Sequence, residues 1–144
     1  MSKPMKTMEL TLSRTIAATP REVYDAWLDP KSPVNPFHGA KHLVFQPKVG
    51  SLYHFTSMMD VVPRPHYGRF DVLDRAAKIQ MTWMSNHTQG LESVVTVTFK
   101  PKGDDTLLTI RHANLPDSTM GRAHEGGWNY FLGQLEEKFA PVRA

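Results

Sequence analysis

His124 stands four residues before Trp128 on the apolar side of a helical pattern, so its imidazole points toward whatever that helix packs on. An unperturbed imidazole titrates near pH ~6.5 and, in a cavity, can orient a ligand or move a proton as general acid or base. The alternative is a core histidine tied to a backbone carbonyl or a strand side chain. Seven histidines also raise the question of a metal. No pair has the i, i+4 helical spacing of an HExxH zinc site, and His38 and His42 are separated by Gly39 in a loop pattern. His124 and Glu125 are helical neighbours about 100° apart and cannot share an ion. The expectation is no metal and no cofactor. Nucleophilic chemistry finds no cysteine and no Gly-x-Ser-x-Gly elbow, and Ser85 before His87 lies in a turn without a third partner. Gly50, Gly68 and Gly103 stand alone, so no phosphate loop is present.

The aromatic residues carry a second kind of chemistry. By the period of two, Tyr53 shares a strand face with Phe55, Tyr67 with Arg69, and Met81 with Trp83. If those faces turn inward they line a pocket suited to a flat or oily guest; the alternative is a collapsed core made of the same side chains. An inward Arg69 would need a carboxylate partner or an anionic ligand group, so outward exposure is the simpler placement. The candidate ligand-binding set is Phe37 as a gate, Tyr53, Phe55, Tyr67, Arg69, Trp83, His124 and Trp128. A pocket enzyme would instead use His124 as acid or base, helped by Tyr53, Tyr67 or Arg69.

These residues need elements to hold them. Met120, His124, Trp128, Phe131, Leu132, Leu135 and Phe139 recur at steps of three and four, which predicts a helix of about five turns capped by Asp117 or Ser118. Gly126-Gly127 inside it costs about 1 kcal/mol per glycine relative to alanine. Close packing against a strand or the first helix is the favoured compensation, and a kink that widens a cavity mouth is the other. Upstream, Met8 to Ile16 alternates as a strand, and Thr19-Pro20-Arg21-Glu22 predicts a helix start with a capping box. Asp29-Pro30 ends that helix, and 31–40 reads as a turn or one short helical turn. Six more strands are expected at His42 to Gln46, Ser51 to Met58, His66 to Leu73, Lys78 to Trp83, Leu91 to Lys100 and Thr106 to His112. One long helix after many short strands buries its stripe most economically across a curved antiparallel sheet, an α+β architecture that often encloses a pocket.

Composition bounds the rest. The 144 residues suit a single domain over 8–140 with short tails at 1–7 and 141–144, and 40% apolar with 22% charged residues is ordinary for a soluble protein. No apolar run approaches the roughly 18 residues of a membrane span, and no signal pattern follows Met1, so a cytoplasmic protein off the membrane is expected. The net charge of +3 is scattered, which argues against nucleic acid as a partner. A homodimer is compatible with these features.

Particular residues also resemble a known family. Ser13-Arg14-Thr15-Ile16-Ala17-Ala18-Thr19-Pro20, Val23-Tyr24-Asp25-Ala26-Trp27-Leu28-Asp29-Pro30, Gly50 with Tyr53, Thr106 to His112, and Gly126-Gly127-Trp128 with Leu132 and Leu135 resemble, in order and spacing, the activator of heat shock protein 90 ATPase homologue family. That family lies within the START-like (SRPBCC, helix-grip) superfamily. The family often has a tryptophan pair soon after the first helix, where this chain has Pro36-Phe37-His38. The resemblance implies a helix-grip fold of about seven strands around the C-terminal helix. It also implies an internal cavity for a small apolar or amphipathic ligand, or else a module that contacts a chaperone.

Overall fold

The computed structural model describes residues 6–32, 34–37, 41–57 and 63–141, with backbone only at 41 and 42. The element order is β1 (Thr7–Ile16), α1 (Pro20–Trp27), β2 (Lys41–Val44), β3 (Leu52–Ser57), β4 (Arg64–Asp74), β5 (Lys78–Ser85), a 3-10 turn at Asn86–Thr88, β6 (Ser93–Lys102), β7 (Asp105–Pro116) and α2 (Thr119–Lys138). The strands form one curved antiparallel sheet in the order β1-β7-β6-β5-β4-β3-β2, so β2 to β7 meander and β1 closes beside β7. No helix among the described residues is long and apolar enough to cross a membrane.

Local chemistry accounts for the element ends. The Thr19 hydroxyl accepts from the Glu22 amide while the Glu22 carboxylate accepts from the Thr19 amide, the reciprocal box expected, and Pro20 opens α1. Ser118, not Asp117, caps α2 by accepting from the Gly121 amide. β7 runs four residues past the predicted end at His112, because Met8 and Thr7 of β1 pair with Leu115 and Pro116 and Leu115 is wholly buried. Met120, counted in the apolar stripe, is exposed in the first turn of α2, before the helix reaches the sheet. The readings that touch His38, Gly39 and Met58 lie outside the described residues.

The core is a sandwich of helix, tryptophan and sheet. Trp27 of α1 is wholly buried, edge-on to Phe99 of β6 and stacked on Trp128 of α2 at 5.8 Å, with Phe131 at 5.0 Å. Leu132 and Leu135 complete the buried side of α2 beside Val97, Leu108 and Ile110. Arg14 of β1 clamps the helix from outside by an ion pair to Glu136 and a 3.2 Å bond to Asn129.

Gly68 is where one side chain cannot be added. It pairs with Tyr53 across β3 and β4, and the Tyr53 ring lies over it to donate its hydroxyl to the Thr82 carbonyl at 2.6 Å. A Cβ at Gly68 would fall 2.0 Å from that carbonyl oxygen and 2.4 Å from the Tyr53 ring. Gly68→Ala is expected to cost about 3 kcal/mol, as overpacking of a filled core does. Urea unfolding measures it, and Tyr53→Leu in the same chain should return part of the loss by freeing the ring's space.

Candidate functional site

Between the N-terminal half of α2 and the ends of β3, β4 and β5 lies a cavity of about 380 Å³ that opens to solvent. Its walls are Phe55, Trp83, Trp128 and Phe131 on the apolar side, with Pro36, Ala123, Gly126 and Gly127 at its rim. Its polar residues are Ser57, Arg64, His66, His87 and His124, and among the described residues no aspartate or glutamate lines it.

The eight predicted site residues divide. Phe55, Trp83, His124 and Trp128 line the cavity. Tyr53 and Phe37 sit behind the wall as core: Phe37 is 3% exposed and packs on Phe45, Tyr53 and Phe55 at 5.2, 5.8 and 5.1 Å, so it is a wedge and not a gate. Burial raises the Tyr53 phenol far above its ordinary range. Tyr67 and Arg69 face the opposite side of the sheet. Tyr67 is 49% exposed, and Arg69 pairs outside with Asp71 at 2.9 Å and Glu92 at 3.6 Å. On β4 the inward row is His66, Gly68 and Phe70, because only a glycine fits beneath Tyr53. The helpers proposed for His124 as an acid or base therefore do not converge on it.

Four histidines, three of which the sequence reading passed over, stand on the cavity wall or directly behind it. His112 of β7 is wholly buried, facing inward in register with Val95 as Leu108 and Ile110 do in theirs. Its Nδ1 accepts the Trp128 indole N–H at 3.0 Å, which leaves the ring proton on Nε2 to donate to Ser93 Oγ at 2.8 Å; the Ser93 hydroxyl donates to the Trp83 carbonyl. A charged His112 would set two N–H groups against each other. Burial first, and His124 second, hold its pKa well below the ordinary 6.5.

His66 stacks on Phe55 at 4.5 Å and donates from Nδ1 to the Arg64 carbonyl at 2.8 Å. His124 donates from Nδ1 to the Gly121 carbonyl at 3.0 Å and stands 5.0 Å from His112 and 6.2 Å from His87, ring to ring. Burial lowers all three cavity imidazoles, His66 to about 4; repulsion from neighbouring imidazoles adds to it at His66 and His124, and the Arg64 charge adds to it at His66 and His87. Among the described residues no three His, Asp or Glu side chains are arranged to hold a metal ion. Period two offered the signal for His112 and His66, since each continues an apolar inward row. Nothing in the sequence places His87, on a 3-10 turn, beside His124.

Among the described residues Gly126 and Gly127 meet nothing: a Cβ on either would have no neighbour within 4 Å. Close packing, the favoured expectation, is thereby corrected, and α2 runs unbroken through both. What the missing side chains leave is the cavity rim. The indole N–H groups of Trp27 and Trp83 are buried without a hydrogen-bond partner among the described residues.

The architecture is shared with solved structures. A protein from Chromobacterium violaceum matches with a TM-score of 0.78 and 23% identity over 93% of this chain and 98% of its own. A Rhizobium loti protein matches at 0.77 and 18% identity over 94% and 99%, and an HSP90 activator from Plasmodium falciparum at 0.74 and 22% identity over 90% and 94%. At such identities the likeness is one of fold. A search of curated proteins finds no match. The family profile described as activator of Hsp90 ATPase homolog 1-like protein matches residues 17–140, a span that takes in both helices, β2 to β7 and the cavity between them, and the chain belongs to that family.

Proposed function

We propose that this protein binds a small, flat, apolar or amphipathic molecule in the cavity beside Trp128. The observation that carries the reading is the glycine pair. Two adjacent helix glycines forgo about 1 kcal/mol each relative to alanine, and no contact returns it, since both face open space at the rim of an aromatic-walled cavity. A stability cost without a packing benefit is what a site kept open for a guest requires. The walls suit such a guest, since burying apolar surface contributes about 25 cal/mol per Å² before the costs of association.

The experiment uses that cost. Gly126→Ala with Gly127→Ala is expected to stabilise the protein by about 1 to 2 kcal/mol in urea unfolding, because the backbone is helical and unobstructed. Gly127→Leu, which puts a branched chain at the rim, is expected to weaken calorimetric binding of 1-methylnaphthalene at least tenfold while the fold persists. A destabilised alanine pair, or a leucine variant that binds as well as the parent, would sink the reading. A chaperone-contacting module in which the interior is filled is less well supported, because the cavity is open.

A further inference from the structure

We propose that the guest presents a hydrogen-bond donor, a hydroxyl on its ring, to the bare Nε2 lone pairs of His66 and His124. This rests on the binding reading above and names the polar chemistry of the molecule bound there. His66 comes from β4 and His124 from α2, and both line the cavity between its aromatic walls and its glycine rim.

The tautomers follow from what each Nδ1 faces. A carbonyl oxygen can only accept, so Nδ1 of His66 donates to the Arg64 carbonyl at 2.8 Å and Nδ1 of His124 donates to the Gly121 carbonyl at 3.0 Å. Burial lowers the pKa of both rings, which keeps a second proton off Nε2 at neutral pH. Each Nε2 is thus an acceptor, and neither has a hydrogen-bond partner among the described residues. His112, 5.0 Å from His124, cannot supply the missing hydrogen, since its one ring proton goes to Ser93 and its other nitrogen accepts from Trp128. Ser57 and Arg64, which also line the cavity, are already partnered.

A guest that fills the cavity displaces the water that would otherwise serve these lone pairs. A methyl group or an ether oxygen brings no hydrogen and leaves a shielded acceptor unpaired, which is the costly case for a buried polar atom. A ring hydroxyl brings one hydrogen in the plane of a flat guest. A site that pairs a hydroxyl rejects the analogue lacking it more strongly than an apolar wall rejects a wrong shape. An aryl amine also donates, but more weakly, so the hydroxyl is the better match.

Calorimetry at pH 7 with 1-naphthol, 1-naphthylamine, 1-methoxynaphthalene and 1-methylnaphthalene tests this with four uncharged probes on one ring system. Naphthol is expected to bind at least tenfold tighter than the methoxy and methyl probes, with naphthylamine between them. His66→Phe with His124→Phe keeps two flat rings and removes both lone pairs. In that variant, shown folded by circular dichroism, naphthol is expected to come within threefold of methylnaphthalene. The comparison in the parent protein needs no variant, so it decides the matter even if the phenylalanine pair fails to fold. If methylnaphthalene binds and naphthol gains less than tenfold over methoxynaphthalene, or keeps its advantage in the folded pair, the donor proposal is overturned and the binding reading stands. Naphthylamine binding tighter than naphthol would overturn the hydroxyl. If none of the four probes binds, both proposals fall.

Discussion

Trp128→Ala is expected to cost about 5 kcal/mol, enough to leave a domain of ordinary stability largely unfolded at 37 °C. Trp128 is only 4% exposed and touches both sides of the core, stacked on Trp27 and 5.3 Å from Trp83. Removing a buried tryptophan side chain costs about 3 to 5 kcal/mol through lost transfer energy and the void left behind. Here the loss also orphans His112 Nδ1, a buried acceptor, at about 1 to 3 kcal/mol. Trp128→Phe separates the two contributions, because it keeps most of the ring and loses only the N–H. Its expected cost is about 2 kcal/mol, and pairing it with His112→Leu should recover part of that by removing the orphaned acceptor. Urea denaturation of the four proteins gives the coupling. Additive losses in the double variant would mean that the indole and imidazole act independently.

Acid is expected to do nearly as much. His66 titrates at about 4 in the fold and near 6.5 in the unfolded chain, so between those values the unfolded state binds the extra proton and stability falls as pH falls. The contribution is intact above pH ~6.5 and is lost progressively down to about 4, where it amounts to about 3 kcal/mol for this one partly covered ring. His112 and His124 shift in the same direction and add to it. The urea midpoint should therefore drop steeply between pH 7 and pH 4.5, a range in which most carboxylates are still ionised, and His66→Gln should flatten that slope. Equal midpoints at pH 7 and pH 4.5 would show that the imidazoles are not held neutral.

Much of this fold was legible in the chain before any coordinates. Thr19, Pro20 and Glu22 spell the start of α1 by hydrogen-bond chemistry alone, and the alternation in Val95, Val97 and Phe99 fixes an inward face because a pleated strand leaves no other choice. The site was read in part. Phe55, Trp83, His124 and Trp128 line the cavity as expected, whereas Tyr67 and Arg69 lie outside it. On β4 the apolar-looking tyrosine was weighed above the glycine, yet the row is chosen by the space Tyr53 needs over Gly68, a contact between strands that no single-strand pattern contains. The same holds for the histidines, which come from β4, β7, α2 and a 3-10 turn and meet only once the sheet has curved. Gly126 and Gly127 could be seen to cost something, but whether a helix glycine faces a neighbour or a void depends on what lies across from it.

The three tryptophans of the chain form one continuous group, Trp27 to Trp128 to Trp83, with ring separations of 5.8 and 5.3 Å. All of the protein's indole emission thus originates from a single spot, two of whose three rings also border the opening. The molecule carries its own optical gauge there: its ultraviolet fluorescence describes the place where α2 meets the sheet and is nearly blind to the rest of the surface.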